Sequence, residues 1–326
     1  MTTGEKMKTM IGGQALIEGI LMRGPDKDAV VVRTADGLKT EVTPRVQRQG
    51  NSPLKWPLIR GVVNFFDAQI VGVKAIMRSA DLSPDEAEAP SKFDIWLEKK
   101  LGTEKFRSVT VGLASVLAFA MVVGLFFLLP MVVGSFFDGI IKSNLIRNLI
   151  EGLVRIGIFF GYMLLVSRMG EMKRVFAYHG AEHKTIRCYE AKLPLTVDNA
   201  RIQTRLHPRC GTSFLLVILI LSILLFSVAS SGLLVAFPGL EAMRGTFLFK
   251  LIMIVFKLLL IPVVVSLGYE INRLVGRYDN AFTRILTAPG MWFQNFTTNE
   301  PDDEMLEVAI AALTAVLPEQ EGADLW

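Results

Sequence analysis

Every imidazole and every thiol in this chain falls within residues 172–212: His179, His183, His207, Cys188 and Cys210. His179 and His183 are four residues apart, so a helix would place both rings on one face, one turn apart, where two imidazoles can share an ion. Glu182 sits between them in the order H-x-x-E-H. This is the inverted form of the zinc-protease signature, in which a carboxylate beside the paired histidines acts as general base toward the attacking water. A five-residue pattern recurs by chance. Its weight here comes from the crowding of all soft ligands into one segment.

Two histidines do not complete a site. Glu190 lies two turns beyond His183, ~10 Å along a helix axis, too far to converge. Cys188, five residues past His183, is rotated off the histidine face and reads as a small buried apolar residue. The stronger candidates are His207 and Cys210 of HPRCG, whose spacing lets a tight loop present both to one ion. Glu270 of SLGYEINR is a further candidate, as a carboxylate from another helix. Four ligands, His179, His183, His207 and Cys210, would close a structural tetrahedral site. Three ligands and a water beside Glu182 would make a hydrolytic one. Without metal, the histidines would satisfy buried hydrogen bonds. A di-iron oxygenase is disfavoured, because three histidines cannot build the usual multi-histidine cage.

The segment must be positioned by a membrane protein. The chain is 51% hydrophobic with mean hydropathy +0.43, too apolar for an ordinary soluble domain. Four runs reach the ~20 residues that cross a bilayer: 109–136, kinked at Pro130, then 149–168, 213–237 and 246–268. Glu151 and Arg155, four apart, are expected to pair. Lys257 should face the bundle interior and a carboxylate or water. The net charge of +4 calls for no nucleic acid, and two cysteines are too few for a disulfide framework. The N-terminus has no cleavable signal pattern. The 168–212 loop carries nine Lys/Arg, against two and one in the loops 138–148 and 238–245. That asymmetry places both termini and the histidine loop in the cytosol, where the cysteines stay reduced. The pairs of basic residues near the histidines read as anionic-lipid contacts.

The remaining segments read as a cytosolic cap. Residues 10–50 suggest a β-rich unit, with 29–34 and 38–46 forming a hairpin about Asp36-Gly37. Glu18 and Arg23 either pair locally or, if this stretch packs over the histidines, Glu18 helps build their site. Residues 54–80 carry Arg60, Asp67, Lys74 and Arg78 near one helical face. They are expected to lie in the interface or against the bundle. Spanning is disfavoured, since Asp67 would sit mid-bilayer. Residues 81–91 read as an acidic linker. In 301–318, Pro301, Asp302 and Asp303 open a helix with Met305, Leu306, Ala309, Leu313 and Val316 on its apolar face.

IGGQALIEGILMRGP, AYHGAEHKTIRCYE, HPRCGTSF and GYEINR together resemble the bacterial YqhQ-type membrane family, whose function is unknown and which is often catalogued among metal-dependent enzymes. The resemblance covers about residues 10–318. It implies a bacterial cytoplasmic-membrane protein with metal-type residues at His179, Glu182, His183, His207 and Cys210. It supplies no substrate.

The expected architecture is therefore an all-α membrane protein with four transmembrane helices and a small cytosolic α+β cap. Its divisions are 1–53 (hairpin unit), 54–80 (interfacial helix), 81–107 (linker and pre-membrane helix), 108–169 (first two spans), 170–212 (metal-site loop), 213–269 (last two spans) and 270–326 (C-terminal helices). The expected activity is zinc-dependent hydrolysis at the cytosolic membrane face, with Glu182 as general base. The metal would be held by His179, His183 and one of His207, Cys210 or Glu270. Its substrate would be a peptide or lipid-linked group. The alternative is a membrane scaffold or regulator knit together by a structural metal. The bilayer is the partner in either case.

Overall fold

A computed structural model describes residues 7–45, 52–83, 98–100, 102–137, 140–141, 143–320 and 322–325. The chain forms two compact units. One comprises Met1–Asp85, Met163–Leu221 and Pro262–Trp326, the other Glu86–Tyr162 and Ser222–Ile261. The linker expected at 81–91 lies outside the described residues from 84 onward.

The first unit begins with an antiparallel meander in the order β1 (Gly12–Leu16), β2 (Gly19–Arg23), β3 (Lys27–Thr34) and β4 (Gly37–Pro44). The hairpin expected at 29–46 is the β3–β4 pair, with Thr34 opposite Gly37. Gly37 takes φ +112°, a conformation that only glycine adopts freely. The glycine-rich stretch before it makes the other hairpin, with Leu16 opposite Gly19 and Glu18 at φ +49° in the turn.

Helix α1 (Ile59–Leu82) follows. It is amphipathic, and three of the four charged residues on its polar face have ion-pair partners, while Lys74 is exposed. Arg60 pairs with Glu270, Asp67 with Arg23 and Arg78 with Glu41. Small residues, Gly61, Gly72, Ala75 and Ser79, make its buried line, while Phe66, Ile70 and Val73 are exposed. In water that outward apolar stripe would be unfavourable. Against lipid it is the favourable arrangement for a helix in the interface plane.

Among the described residues, four helical segments are long and apolar enough to cross a membrane: Val109–Ser135, Asn144–Val166, Gly211–Ala236 and Phe247–Arg277. The first is built from α2 (Thr103–Val123), a π turn at Gly124–Leu128 and α3 (Leu129–Ser135). Pro130 has no N–H for the carbonyl four residues back, Phe126. Arg155 supplies the missing donor, its Nε 2.8 Å from that oxygen, with its guanidinium over the rings of Phe127 and Phe226. A buried arginine is tolerated where backbone needs it. The expected Glu151–Arg155 pair is thereby corrected. In α4 (Asn144–Val166), Glu151 instead accepts from Lys257 Nζ at 2.5 Å. Lys257 is buried and its partner is a carboxylate, as expected.

Helices α5 (Gly170–Glu190) and α6 (Val197–Arg201) belong to the first unit. They are followed by α7 (Gly211–Ala236), α8 (Pro238–Ala242), α9 (Phe247–Arg277), α10 (Ala281–Thr297) and α11 (Asp303–Val316). Asp302 caps α11 by accepting from the Met305 N–H at 2.8 Å, satisfying an orphan donor of the first turn. The α11 face named above, with Val308 and Ala312 added, buries against Ile20, Met22, Ala29 and Val31 of the sheet and Ala177, Tyr178, Ala181 and Ile186 of α5. This core clamps α5 between sheet and α11. Leu313 is fully buried in it. Leu313→Ala should therefore destabilise the first unit by about 3 kcal/mol, read as a lower thermal unfolding midpoint of the purified protein. An unchanged midpoint would show that α11 is peripheral.

Candidate metal centre

From Phe176 to Ile186 α5 has no solvent-facing side, and charged and aromatic residues alike are buried. Gly180 explains how a neighbour comes so close. A Cβ there would overlap the main-chain oxygen of Asn299, so the chain after α10 lies directly on the helix. Thr297, at the end of α10, accepts from His179 Nδ1 at 2.8 Å. The main-chain oxygen of Arg205 accepts from His183 Nδ1 at 2.6 Å. A carbonyl oxygen can only accept, so both Nδ1 atoms carry a proton, and it is Nε2 that presents a lone pair whenever either ring is neutral.

Both Nε2 atoms face Cys210. His179 Nε2 lies 3.1 Å from the sulfur, and His183 Nε2 is buried without a completed hydrogen bond. The ligand atoms of His179, His183 and Cys210 all lie within 4.8 Å of one another. Cys210 immediately precedes α7, where the Thr212 N–H donates to its sulfur at 3.3 Å. Burial raises the thiol, but the charges of His179 and His183 reverse this, and it sits well below its ordinary range. A helix N-terminus favours the thiolate in the same sense. For His179 burial works downward, yet the Cys210 thiolate outweighs it and the imidazole rises to about 9. In the metal-free protein a thiolate and an imidazolium hold each other.

Glu182 completes the cluster. One of its oxygens accepts from the Gly13 N–H at 2.9 Å. The other is buried without a partner. Burial raises its carboxyl above the usual range against the pull of His179 and His183. Both orphaned atoms, His183 Nε2 and Glu182 Oε2, are what a metal and its water would satisfy. The donor set, two imidazoles and a thiolate, suits zinc, and Nδ1–H held by carbonyls is the usual support for metal-binding histidines. A cleft of about 240 Å³ reaches Glu182, His183 and Cys210 past Gly13, Arg45 and Arg209.

The other expected ligands have different partners. His207 stacks near His183 at 5.6 Å between ring centres, but its Nε2 faces Glu190 Oε2 at 3.2 Å. Arg209 pairs with the same carboxylate. Burial lowers His207 to about 4. Glu270 receives Arg60 Nε at 2.7 Å. Cys188 is buried with its thiol toward the Leu193 and Pro194 carbonyls. Glu18 does not reach the cluster. It pairs with Arg174 and accepts from Tyr178, so the N-terminal contribution comes from Gly13 instead.

Gly13, Gln294 and Thr297 escaped sequence reasoning. The side-chain amide of Gln294 donates to the His207 carbonyl and accepts from its N–H, each at 2.7 Å. That clasp fixes the loop leading to Cys210. A glycine inside a strand marks close backbone approach, which could have singled out Gly13. Nothing local marks Gln294, in a helix interrupted by Pro289.

Residues 56–319 match the family described as "Protein of unknown function (DUF1385)". Uncharacterized protein YqhQ of Bacillus subtilis (strain 168) is 32% identical over 322 residues, covering 96% of this chain and 93% of the relative. No solved structure matches.

The depressed His207 gives a test of this geometry. Between about pH 6.5 and 4 the unfolded chain protonates this imidazole while the folded one does not. Stability is therefore lost as pH falls through that window. The thermal midpoint of metal-free protein should drop on acidification across it, and His207→Gln should flatten that slope. An equal slope in the variant would place His207 in a more solvated setting than the one described.

Proposed function

The chain belongs to the DUF1385 family, whose function is unknown, and from that footing we propose that it is a metal-dependent hydrolase acting at a membrane face. The observation that carries the reading is one cluster: two imidazole Nε2 atoms, a cysteine sulfur and an unpartnered buried carboxylate oxygen. His179, His183 and Cys210 would hold a divalent ion, with zinc the best match to their chemistry. Such an ion supplies Lewis acidity to a substrate carbonyl or phosphoryl oxygen and acidifies water.

The chain's own groups do the rest. Three protein ligands leave a tetrahedral ion one open position. Glu182, anchored through one oxygen by Gly13, keeps the other free to take a proton from water and return it to the leaving group. The cleft through Gly13 and Arg45 gives a substrate access. A peptide or a lipid-linked group suits a site carried by a membrane protein. The charge asymmetry of the loops supports a cytosolic site with cytosolic termini. The Bacillus relative supports a bacterial cytoplasmic membrane.

The second reading is a scaffold with a structural ion. It is favoured by the way the cluster joins α5, the loop before α7, and the end of α10. The two part at Glu182. Wild-type protein should contain about one zinc per chain by elemental analysis, and His183→Ala should lose it. Glu182→Gln should keep the metal while hydrolysis of ester and amide reporters falls at least ~10²-fold. Metal retained with reporter turnover equal in wild type and Glu182→Gln would leave the scaffold. No stoichiometric metal in wild type would remove both readings.

A further inference from the structure

The cleft beside the histidines holds donors that the hydrolytic reading leaves unused. Three arginines line it, Arg23, Arg45 and Arg209, and one carboxylate, Glu182. Arg23 is committed to the fold. Its Nε lies 3.3 Å from Asp28 and its Nη2 2.8 Å from Asp67. The other two differ. Arg209 pairs with Glu190, but its Nε is buried without a hydrogen bond. A buried donor of that kind calls for an acceptor. Arg45 stands just past β4, where its main-chain N–H donates to the Asp26 carbonyl at 2.7 Å. Its Nη1 donates to the Gly24 main-chain oxygen at 3.0 Å, and it takes part in no ion pair among the described residues. That one contact neither neutralises the guanidinium nor uses its planar fork of donors.

Two further features point to what those donors receive. Gly12 and Gly211 line the same cleft, and a Cβ at either would touch nothing within 4 Å. Packing does not require glycine there, and the absent side chains leave the cleft clear for a ligand. Gly211 also opens α7, a helix of 26 residues, whose N-terminal dipole favours an anion at that wall. The cleft, about 240 Å³, admits an organic group as well as the anion. A neutral amide would leave the guanidinium donors unmatched. A carboxylate has two oxygens and fills one fork. A phosphate presents three terminal oxygens and a larger charge, which suits donors arriving from two arginines.

We propose that the substrate of this site carries a phosphate group, received by Arg45 and Arg209 beside the histidine–cysteine cluster. This rests on the hydrolytic reading, whose substrate class it names. A soluble phosphate ester and a lipid phosphate present the same oxygens, so the test carries both. Full-length protein in neutral detergent, at fixed ionic strength and known zinc content, would be titrated calorimetrically. The soluble probes are glycerol 3-phosphate and its carboxylate analogue glycerate. The lipid probes are phosphatidic acid and diacylglycerol with the same chains. At least one phosphate probe should bind about tenfold more tightly than its partner without phosphate, and which one does so assigns the source. Arg45→Gln should weaken that binding about tenfold, and Arg45→Lys, which keeps the charge but not the fork, about threefold. Arg45 is exposed, so both variants should keep the wild-type thermal midpoint. Lys39→Gln, on an exposed position of β4 outside the cleft, should bind as wild type does. Equal binding of each phosphate probe and its partner would overturn the proposal. So would an Arg45→Gln protein that binds phosphate as tightly as wild type. The two readings fail separately. Zinc-loaded protein whose phosphate binding ignores Arg45 would keep the hydrolase and remove the phosphate site. Arg45-dependent binding by protein without stoichiometric zinc would keep the phosphate site and remove the hydrolase.

Discussion

Two main-chain carbonyls set the geometry of the histidine–cysteine cluster. Thr297 and Arg205 each accept an Nδ1 proton, and by doing so they fix both imidazole tautomers and both ring orientations. Had either ring been turned over, its Nε2 would no longer converge on Cys210. The rest of the first unit serves that constraint. Gly180 lets the chain after α10 lie on α5. Gln294 clasps the main chain of His207. Arg187 donates to the Leu206 carbonyl at 2.6 Å and Lys184 to that of Arg201 at 2.8 Å. The loop from α6 to α7 is thus sewn to α5 through its backbone, which makes its carbonyl positions definite.

The same economy governs the buried charges. Polar groups removed from water are retained where each has a specific partner. His207, Glu190 and Arg209 form one such set beside the cluster, and their mutual satisfaction keeps His207 away from the cysteine. In the second unit, Arg155 replaces the donor that Pro130 lacks. Breaking a regular helix and burying an arginine are each unfavourable alone. Together they compensate.

Much of the fold could be read from the chain. Four apolar runs correspond to four helices long enough to span, with ends within two residues except that α4 starts five residues earlier, at Asn144, and α9 continues to Arg277. The β3–β4 hairpin and the α11 face followed from turn chemistry and periodicity. The amphipathic character of α1 was also legible, but its ion-pair partners were not: Arg23, Glu41 and Glu270 come from segments remote in the chain. The pairing of Glu151 was misread for the same reason: an i, i+4 spacing makes a neighbour available, but Lys257 from another helix competes for the carboxylate.

At the histidine segment the division is sharp. The sequence by itself determined which atoms were available. His179, Glu182 and His183 share a helical face because 3.6 residues make a turn, and Cys188 leaves that face by the same arithmetic. Spacing favoured His207 and Cys210, with Glu270 a further candidate; tertiary structure brings only Cys210 of the three to the histidine pair. Cys210 converges because it immediately precedes α7 and faces two Nε2 atoms. His207 and Glu270 are drawn off by Glu190 and Arg60. Such competition depends on distances between segments remote in the chain, and no local pattern carries that information.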